Sequence, residues 1–368
     1  MRSDGRIMDK SALTLEYAGE VGRLLDDGLL LANHEGTILT VNSAAVRLLS
    51  ENVVGKNLTE VVHSDEPTKK LTPSAKDGID QEFIFQPKSA VRLEVKVRIK
   101  ELANGFVLVL LMDMTLQRNL EKVRRDFVAN VSHELRSPLT SLAGFIETIL
   151  DNDIQDQETL LRFLKIMDEE AKRMSRLIDD LLSLSRVEVD EHIVPSETVP
   201  LMEVVRSVIH SLADRARRRE IQIDLVDDRS PGSPNIFIYG YADEINEVFH
   251  NLLENAIKYG AEASPITVHV ATQRDDQVII SVSNFGDQIA EKHLPRLTER
   301  FYRVDKARSR QIGGTGLGLA IVKHIINRHR GILSVKSLAG GKTTFTVELP
   351  IIDVTEQPDT PSKENSFS

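Results

Sequence analysis

Three short stretches of this chain hold residue types that could bind phosphate or carry out nucleophilic chemistry. The first is Asn251-Leu252-Leu253-Glu254-Asn255-Ala256-Ile257-Lys258-Tyr259. Asn251 and Asn255 are one helical turn apart and share a face, and Lys258 follows on the same side. Two amide oxygens and an ammonium so placed suit a hydrated Mg2+ that carries phosphates. The plainer reading is an ordinary polar face, with Leu252, Leu253, Ala256 and Ile257 buried opposite. The second stretch, Gly313-Gly314-Thr315-Gly316-Leu317-Gly318-Leu319, opens a helix. Backbone amides without Cβ bulk at a helix start attract phosphate oxygens, although a flexible loop would read the same way. It is not a dinucleotide fingerprint, because after Gly314 and Gly316 the third glycine falls at Gly318, one residue early. Gly341-Lys342-Thr343 is not a P-loop either: Lys336 stands where the first glycine should be, and strands follow. The third stretch is Val131-Ser132-His133-Glu134-Leu135-Arg136-Ser137-Pro138-Leu139. His133 lies between apolar positions of a helix and should face solvent, where its imidazole could attack an electrophile while Glu134 takes a proton. The competing reading is a solvated surface histidine. His34 and His63 could ligate a cofactor, but nothing around them says so.

These residues need elements to hold them. Leu29 to Ala32 and Ile38 to Val41 read as a hairpin around Asn33-His34-Glu35-Gly36, and Asn42-Ser43 as the cap of a helix over 44–49. Phe83 to Phe85, the alternating run Val91 to Ile99, and Phe106 to Met112 read as three later strands. Together they predict a small α+β domain over 20–115. Leu116, Leu120, Val123, Phe127 and Val131 form a helical stripe that continues past Pro138 through Leu142, Phe145, Ile149 and Leu150. A proline there removes a hydrogen bond and is expected to kink the rod. After a polar loop from Asp151 to Glu158, a second stripe runs Leu161, Leu164, Met167, Ala171, Met174, Ile178, Leu181. The two rods predict a helical hairpin over 116–190 that leaves its stripes wet unless two copies form a four-helix bundle, so a homodimer is expected. Residues 191–352 predict an α/β two-layer sandwich: helix 200–219, strands 221–226 and 236–239, helix 243–259, strands 266–271 and 278–284, helix 317–329, and a hairpin over 332–349 turning at Gly340-Gly341. The segment 1–19 is uninformative, and the polar tail 353–368 is expected to be disordered.

Composition narrows the field. The chain has 368 residues and a formal charge of −10, which argues against coating nucleic acid. Arg215-Ala216-Arg217-Arg218-Arg219 is read as a solvated helix end, where cations are favoured. With no cysteine, disulfides, thiolate metal sites and thiol catalysis are excluded. No apolar run approaches the ~18 residues of a membrane span, and no signal peptide is visible, so the expectation is a cytoplasmic protein.

At this point the motifs carry a resemblance. Asn251 to Tyr259 resembles the N box of sensor histidine kinases, Gly313 to Leu319 their G2 box, Glu299-Arg300-Phe301-Tyr302-Arg303 their F box, and Phe127 to Thr140 their H box. The four stand in the family's order and cover about 116–351. Residues 20–115, ending in Asp113-Met114-Thr115, are similar to a PAS domain whose ligand is unknown. Asn130 to Leu150 and Asp180 to Glu188 look most like the phosphate-regulon type, whose members usually carry N-terminal membrane helices that this chain does not show.

The resemblance implies an ATP- and Mg2+-dependent kinase acting on itself at His133, with Glu134 accepting the ring proton, then passing the phosphoryl group to an aspartate of a response regulator. It implies Asn255 as metal ligand with Asn251 nearby, Lys258 and Tyr259 at the phosphates, Gly314, Thr315, Gly316 and Gly318 as the lid, and Arg303 at the γ-phosphate. Two departures stand out. In Val282-Ser283-Asn284-Phe285-Gly286-Asp287-Gln288-Ile289 the family's adenine-binding Asp is Asn284, which can still accept a hydrogen bond but without charge assistance. Four residues after the histidine, where Thr or Asn commonly orients water for dephosphorylating the partner, stands Ser137. The alternatives are a degenerate kinase that only binds nucleotide or a partner, and an ATPase of the same fold. The latter needs an acidic residue where Asn251 sits.

Overall fold

The computed structural model describes residues 20, 22–62, 81–87, 93–102, 105–151, 156–229, 235–273, 276–305 and 314–352. The expectations for 1–19, His63, the centre of the 151–158 loop, Gly313 and the tail from 353 lie outside these residues. The chain divides into two compact units, 1–129 and 130–368.

The first unit is one antiparallel sheet with short helices. Its strands are β1 (Gly28–Ala32), β2 (Ile38–Val41), β3 (Gln81–Phe85), β4 (Val95–Glu101) and β5 (Val107–Asp113), in the order β2-β1-β5-β4-β3. β5 alternates strictly, burying Val107, Val109 and Leu111, as a strand with one covered face must. Val91 and Arg92, where the expected alternation begins, lie outside the described residues. Asn42 caps α1 (Ser43–Leu49) and is nearly buried. Its Oδ1 accepts from Leu29 and Ala45 amides, and its Nδ2 donates to Gly22 and Asp27 carbonyls. Every polar capacity is used, so its burial carries no unpaired cost. A single-turn helix, α2 (Leu58–Val61), was not expected from the sequence.

Two rods follow: α3 (Thr115–Asp151) and α4 (Gln157–Val189), the latter capped by Asp156 accepting from Glu158 and Thr159 amides. Pro138 lies inside α3 without ending it. Leu139, Leu150, Leu161 and Leu164 on these rods remain about half exposed or more.

The second unit's sandwich contains β6 (Thr198–Pro200), α5 (Leu201–Arg217), β7 (Ile223–Asp227), β8 (Phe237–Tyr239), α6 (Ala242–Tyr259), β9 (Ile266–Gln273), β10 (Gln277–Phe285), α7 (Gly318–Arg328), β11 (Ile332–Ser337) and β12 (Lys342–Pro350). The main sheet runs β11-β12-β10-β9-β7. β10 and β12 each bury every second residue, and α6 covers that face with Ile245, Val248, Phe249, Leu252, Leu253, Ala256 and Ile257. β7 and β9 pair in parallel, so the chain between them must cross over the sheet, and α6 lies on that crossover. β8 leaves the main sheet and pairs with β6, a strand the sequence did not announce.

Phe249 is fully buried at the centre of this layer. Phe249→Ala is expected to cost about 3–5 kcal/mol, read as an earlier urea transition of the helical signal; a loss below ~1 kcal/mol would contradict the packing described.

Candidate functional site

His133 is exposed on α3, as the stripe required, and its imidazole makes no hydrogen bond to the described residues. Ser137, one turn on, is also exposed. Pro138 supplies no N–H, so the carbonyl of Glu134 lacks its helical donor. The Glu134 side chain does not reach for His133. Its Oε2 lies 3.2 Å from Arg173 Nη2 of α4 and 3.4 Å from Arg303 Nη2 of the sandwich. Arg303 is only 6% exposed. Glu134, Pro138, Arg173, Met174, Leu177, Arg303 and Thr315 line one crevice. Two expectations thus meet a different geometry. The carboxylate assigned to proton transfer is held by two guanidiniums, and the guanidinium assigned to the γ-phosphate is held by that carboxylate.

The rest of the seam repeats the pattern. Thr315 donates to Asp180 Oδ2 at 2.6 Å. Ser183 donates to both oxygens of Glu247 at 2.7 and 2.8 Å. Arg300 pairs with Glu188 at 2.6 Å, and His324 Nδ1 lies 2.8 Å from Glu191. Burial pushes the Asp180 carboxyl above its ordinary range, opposed by the Thr315 hydroxyl and raised further by the charge of Glu247. Sequence reasoning missed Asp180, Ser183, Arg173 and Glu247. Each is an unremarkable polar residue at the margin of a helical stripe, and its partner lies on another element.

On the sandwich, α6 presents the expected face. Asn255 is half-buried, and no hydrogen bond to a described residue engages its side chain. Asn251 donates from Nδ2 to the Glu247 carbonyl at 3.0 Å. Its Oδ1 is 2.6 Å from where a Cβ on Gly318 would sit, so a larger residue there would push the Asn251 amide aside. An uncommitted amide oxygen fits a hard cation that keeps most of its water and takes its other ligands from phosphates. Lys258, on the same face, is paired. Its side chain is 9% exposed and lies 3.3 Å from Glu254, and burial holds its ammonium below the ordinary lysine range against the pull of Glu254. Burial also works to raise Glu254, but Lys258 and Arg215 outweigh it and keep that carboxyl low. Tyr259 is exposed.

Asn284 is buried at the end of β10, with only a long contact to the Phe285 carbonyl at 3.5 Å. Beyond it Gly286 donates to Gly341 at 2.9 Å and bridges to Gly260. A Cβ on Gly286 would fall on the Tyr259 carbonyl. Gly316, at φ 77, accepts from the Phe301 amide at 2.8 Å and packs beside Arg303. The lid and F box are thereby tied together. The basic run is not wholly solvated, as the sequence reading held. Arg217 stays in water, but Arg215 pairs with Glu254, and Arg219 is half-buried on backbone carbonyls of α6.

The chain is similar to known proteins over most of its length. Residues 123–189 match the His Kinase A (phospho-acceptor) domain, and 240–353 match the histidine kinase-, DNA gyrase B- and HSP90-like ATPase domain. The chain is 34% identical to the phosphate regulon sensor protein PhoR of Pseudomonas aeruginosa, across 96% of this chain and 79% of that protein. It is 31% identical to the sensor histidine kinase WalK of Bacillus subtilis, across 89% of this chain and 54% of that protein. The solved histidine kinase ThkA, in complex with a response regulator protein, shares the fold at a TM-score of 0.50 and 22% identity, over 90% of this chain and 97% of that one.

Asp180 generates a pH prediction. With its carboxyl raised above the ordinary 3.8, its burial costs nothing below that pH, and the cost grows as pH rises from 3.8 to the folded-state value and is constant above it. Asp180→Asn keeps an acceptor for Thr315 and removes the charge. It should raise the melting temperature by ~2–5 °C at pH 7.5, with the gain shrinking as pH falls toward 3.8. A loss at pH 7.5, or a gain independent of pH, would count against this assignment.

Proposed function

Because the chain belongs to the sensor histidine kinases of two-component systems, we propose that His133 is the residue it phosphorylates and that the seam around Glu134 is where the transfer is set up. The observation that carries this is an exposed imidazole adjoining a carboxylate that shares Arg303 with the ATP-binding sandwich. In the reaction, a ring nitrogen of His133 forms a bond to the γ-phosphorus, the bond from that phosphorus to the β–γ bridging oxygen breaks, and ADP leaves with the electron pair. The proton on the other ring nitrogen goes to Glu134. For this, Glu134 must give up Arg303, which is then free to meet the γ-phosphate, and Thr315 must give up Asp180. The arrangement described is therefore the one before that exchange. Asn255, with Asn251 beside it, would hold Mg2+, which supplies charge neutralisation on the phosphates. The protein's own contribution is placement and electrostatics, as expected for phosphoryl transfer.

The phosphoramidate then passes to an aspartate of a response regulator. Exposed leucines on both rods support a homodimeric four-helix bundle, since a wet apolar stripe of that length calls for a partner. The strand order β2-β1-β5-β4-β3 and the Asp113-Met114-Thr115 exit support a PAS-like sensor over 20–115 that biases the bundle between two arrangements. The exposure of Ser137 one turn past His133 supports a role for its hydroxyl in orienting water for dephosphorylating the regulator. Similarity to the P. aeruginosa protein supports phosphate starvation as the signalling context. Among the described residues no helix is long and apolar enough to cross a membrane.

His133→Gln should abolish acid-labile, base-stable label from γ-labelled ATP while nucleotide still binds; retained label would end this reading. Ser137→Ala should slow regulator dephosphorylation and spare autophosphorylation, and an unchanged dephosphorylation rate would remove Ser137 from that role. Transfer to a panel of response regulators should favour the phosphate-regulon type, and preference for another would overturn the signalling context alone.

A further inference from the structure

Part of the basic run at the end of α5 packs against the end of α6. Arg219 lies just beyond α5, half-buried, and faces the C-terminal end of α6. Its Nη1 donates to the carbonyls of Ile257 and Lys258, the latter at 2.9 Å, and its Nη2 donates to Gly260 at 3.2 Å. The last carbonyls of a helix have no intrahelical donor, and α6 ends without a side-chain cap of its own. One planar guanidinium supplies the missing donors, which a lysine could not do in the same fork. Four residues earlier, Arg215 pairs with Glu254, and the other oxygen of that carboxylate is 3.3 Å from Lys258 Nζ.

These contacts converge on the corner where α6 hands the chain to β9. Gly260 bridges to Gly286, and Ala261 donates to the Phe285 carbonyl at 2.7 Å. Asn284 and Gly286, on the expected adenine side, are thus joined through two residues to the carbonyls that Arg219 holds. Lys258 and Tyr259, on the expected phosphate side, sit between those same carbonyls. We infer that Arg219 and Arg215 form a brace from α5 that positions the end of the N-box helix: Arg219 through the backbone of residues 257–260, Arg215 through Glu254 and Lys258. Neither touches nucleotide, so both are positioning residues, and both act on binding rather than on the chemical step. The inference deepens the kinase reading above and rests on it only for the location of the nucleotide.

The test uses the full chain. In a His133→Gln background, binding of a fluorescent ATP analogue reads the brace without phosphorylation. With His133 present, autophosphorylation is followed against ATP concentration. Arg219→Met is expected to raise both the analogue Kd and the half-saturating ATP roughly tenfold, the worth of a hydrogen bond or two, with the rate at saturating ATP within about twofold. Arg219→Lys should fall between, and amide exchange should quicken at 257–261 and at Gly286 in both. Arg215→Met should show a smaller rise in the same direction. A lowered melting temperature with unchanged analogue affinity would make Arg219 merely structural and overturn the brace, as would a fall in saturating rate with affinity intact. If Arg219→Met does not fold, Arg219→Lys decides: unchanged affinity and exchange reject the brace. Analogue binding alone decides this proposal, whereas label on His133→Gln decides the phosphoacceptor, so the two fail separately.

Discussion

A guanidinium held almost out of water must be answered by another charge, because leaving it unpaired there costs several kcal/mol. In this protein the guanidinium is Arg303 and the answering carboxylate is Glu134, one residue from the exposed imidazole of His133. Much of the functional architecture follows from that pair. It lies where the sandwich meets the hairpin, with the F box beside the H box. In the proposed reaction it also sets a condition, since a phosphate approaching Arg303 would have to replace Glu134. The neighbouring contacts obey the same logic. Thr315 of the lid is occupied by Asp180, and Glu247, on the same helix as Asn251, by Ser183. Carboxylates and a hydroxyl of the hairpin engage the groups that surround the nucleotide face. A seam of this kind is reversible by exchange, because phosphate oxygens offer those donors the same acceptors with more charge.

The nucleotide face is shaped differently. Its glycines stand where the chain closely approaches a neighbouring backbone or side chain. Gly318 lets α7 begin against Asn251, Gly286 lets β10 turn beneath the Tyr259 carbonyl, and Gly316 lets the lid lie on Phe301. These approaches explain the glycine spacing better than flexibility does. Asn255 is half-buried with its side-chain amide unengaged by any described residue, and that is the condition in which a cation could take it.

Much of this was legible in the sequence. The alternation of β5, β10 and β12, the apolar face of α6 and the double stripe of the hairpin follow from periods of two and of 3.6, and buried strands and helices must obey them. The exposure of His133 followed from its place between Val131 and Leu135. What could not be read was pairing at a distance. Nothing near Glu134 announces Arg173 or Arg303, and nothing near Arg219 announces the carbonyls of α6, since such contacts are set by how elements pack. The pairing of Lys258 with Glu254 belongs here too: Glu254 is one turn away and in plain sight, but the burial that ties the two together is tertiary.

The account turns on competition between Glu134 and phosphate for Arg303, and a double-mutant cycle reads that directly. ATP-analogue affinity would be measured for the full chain, Glu134→Gln, Arg303→Met and the double variant. Competition predicts that Glu134→Gln binds the analogue more tightly than the parent and that the gain disappears when Arg303 is already Met. Equal or weaker binding by Glu134→Gln, or a gain that persists without Arg303, would contradict it.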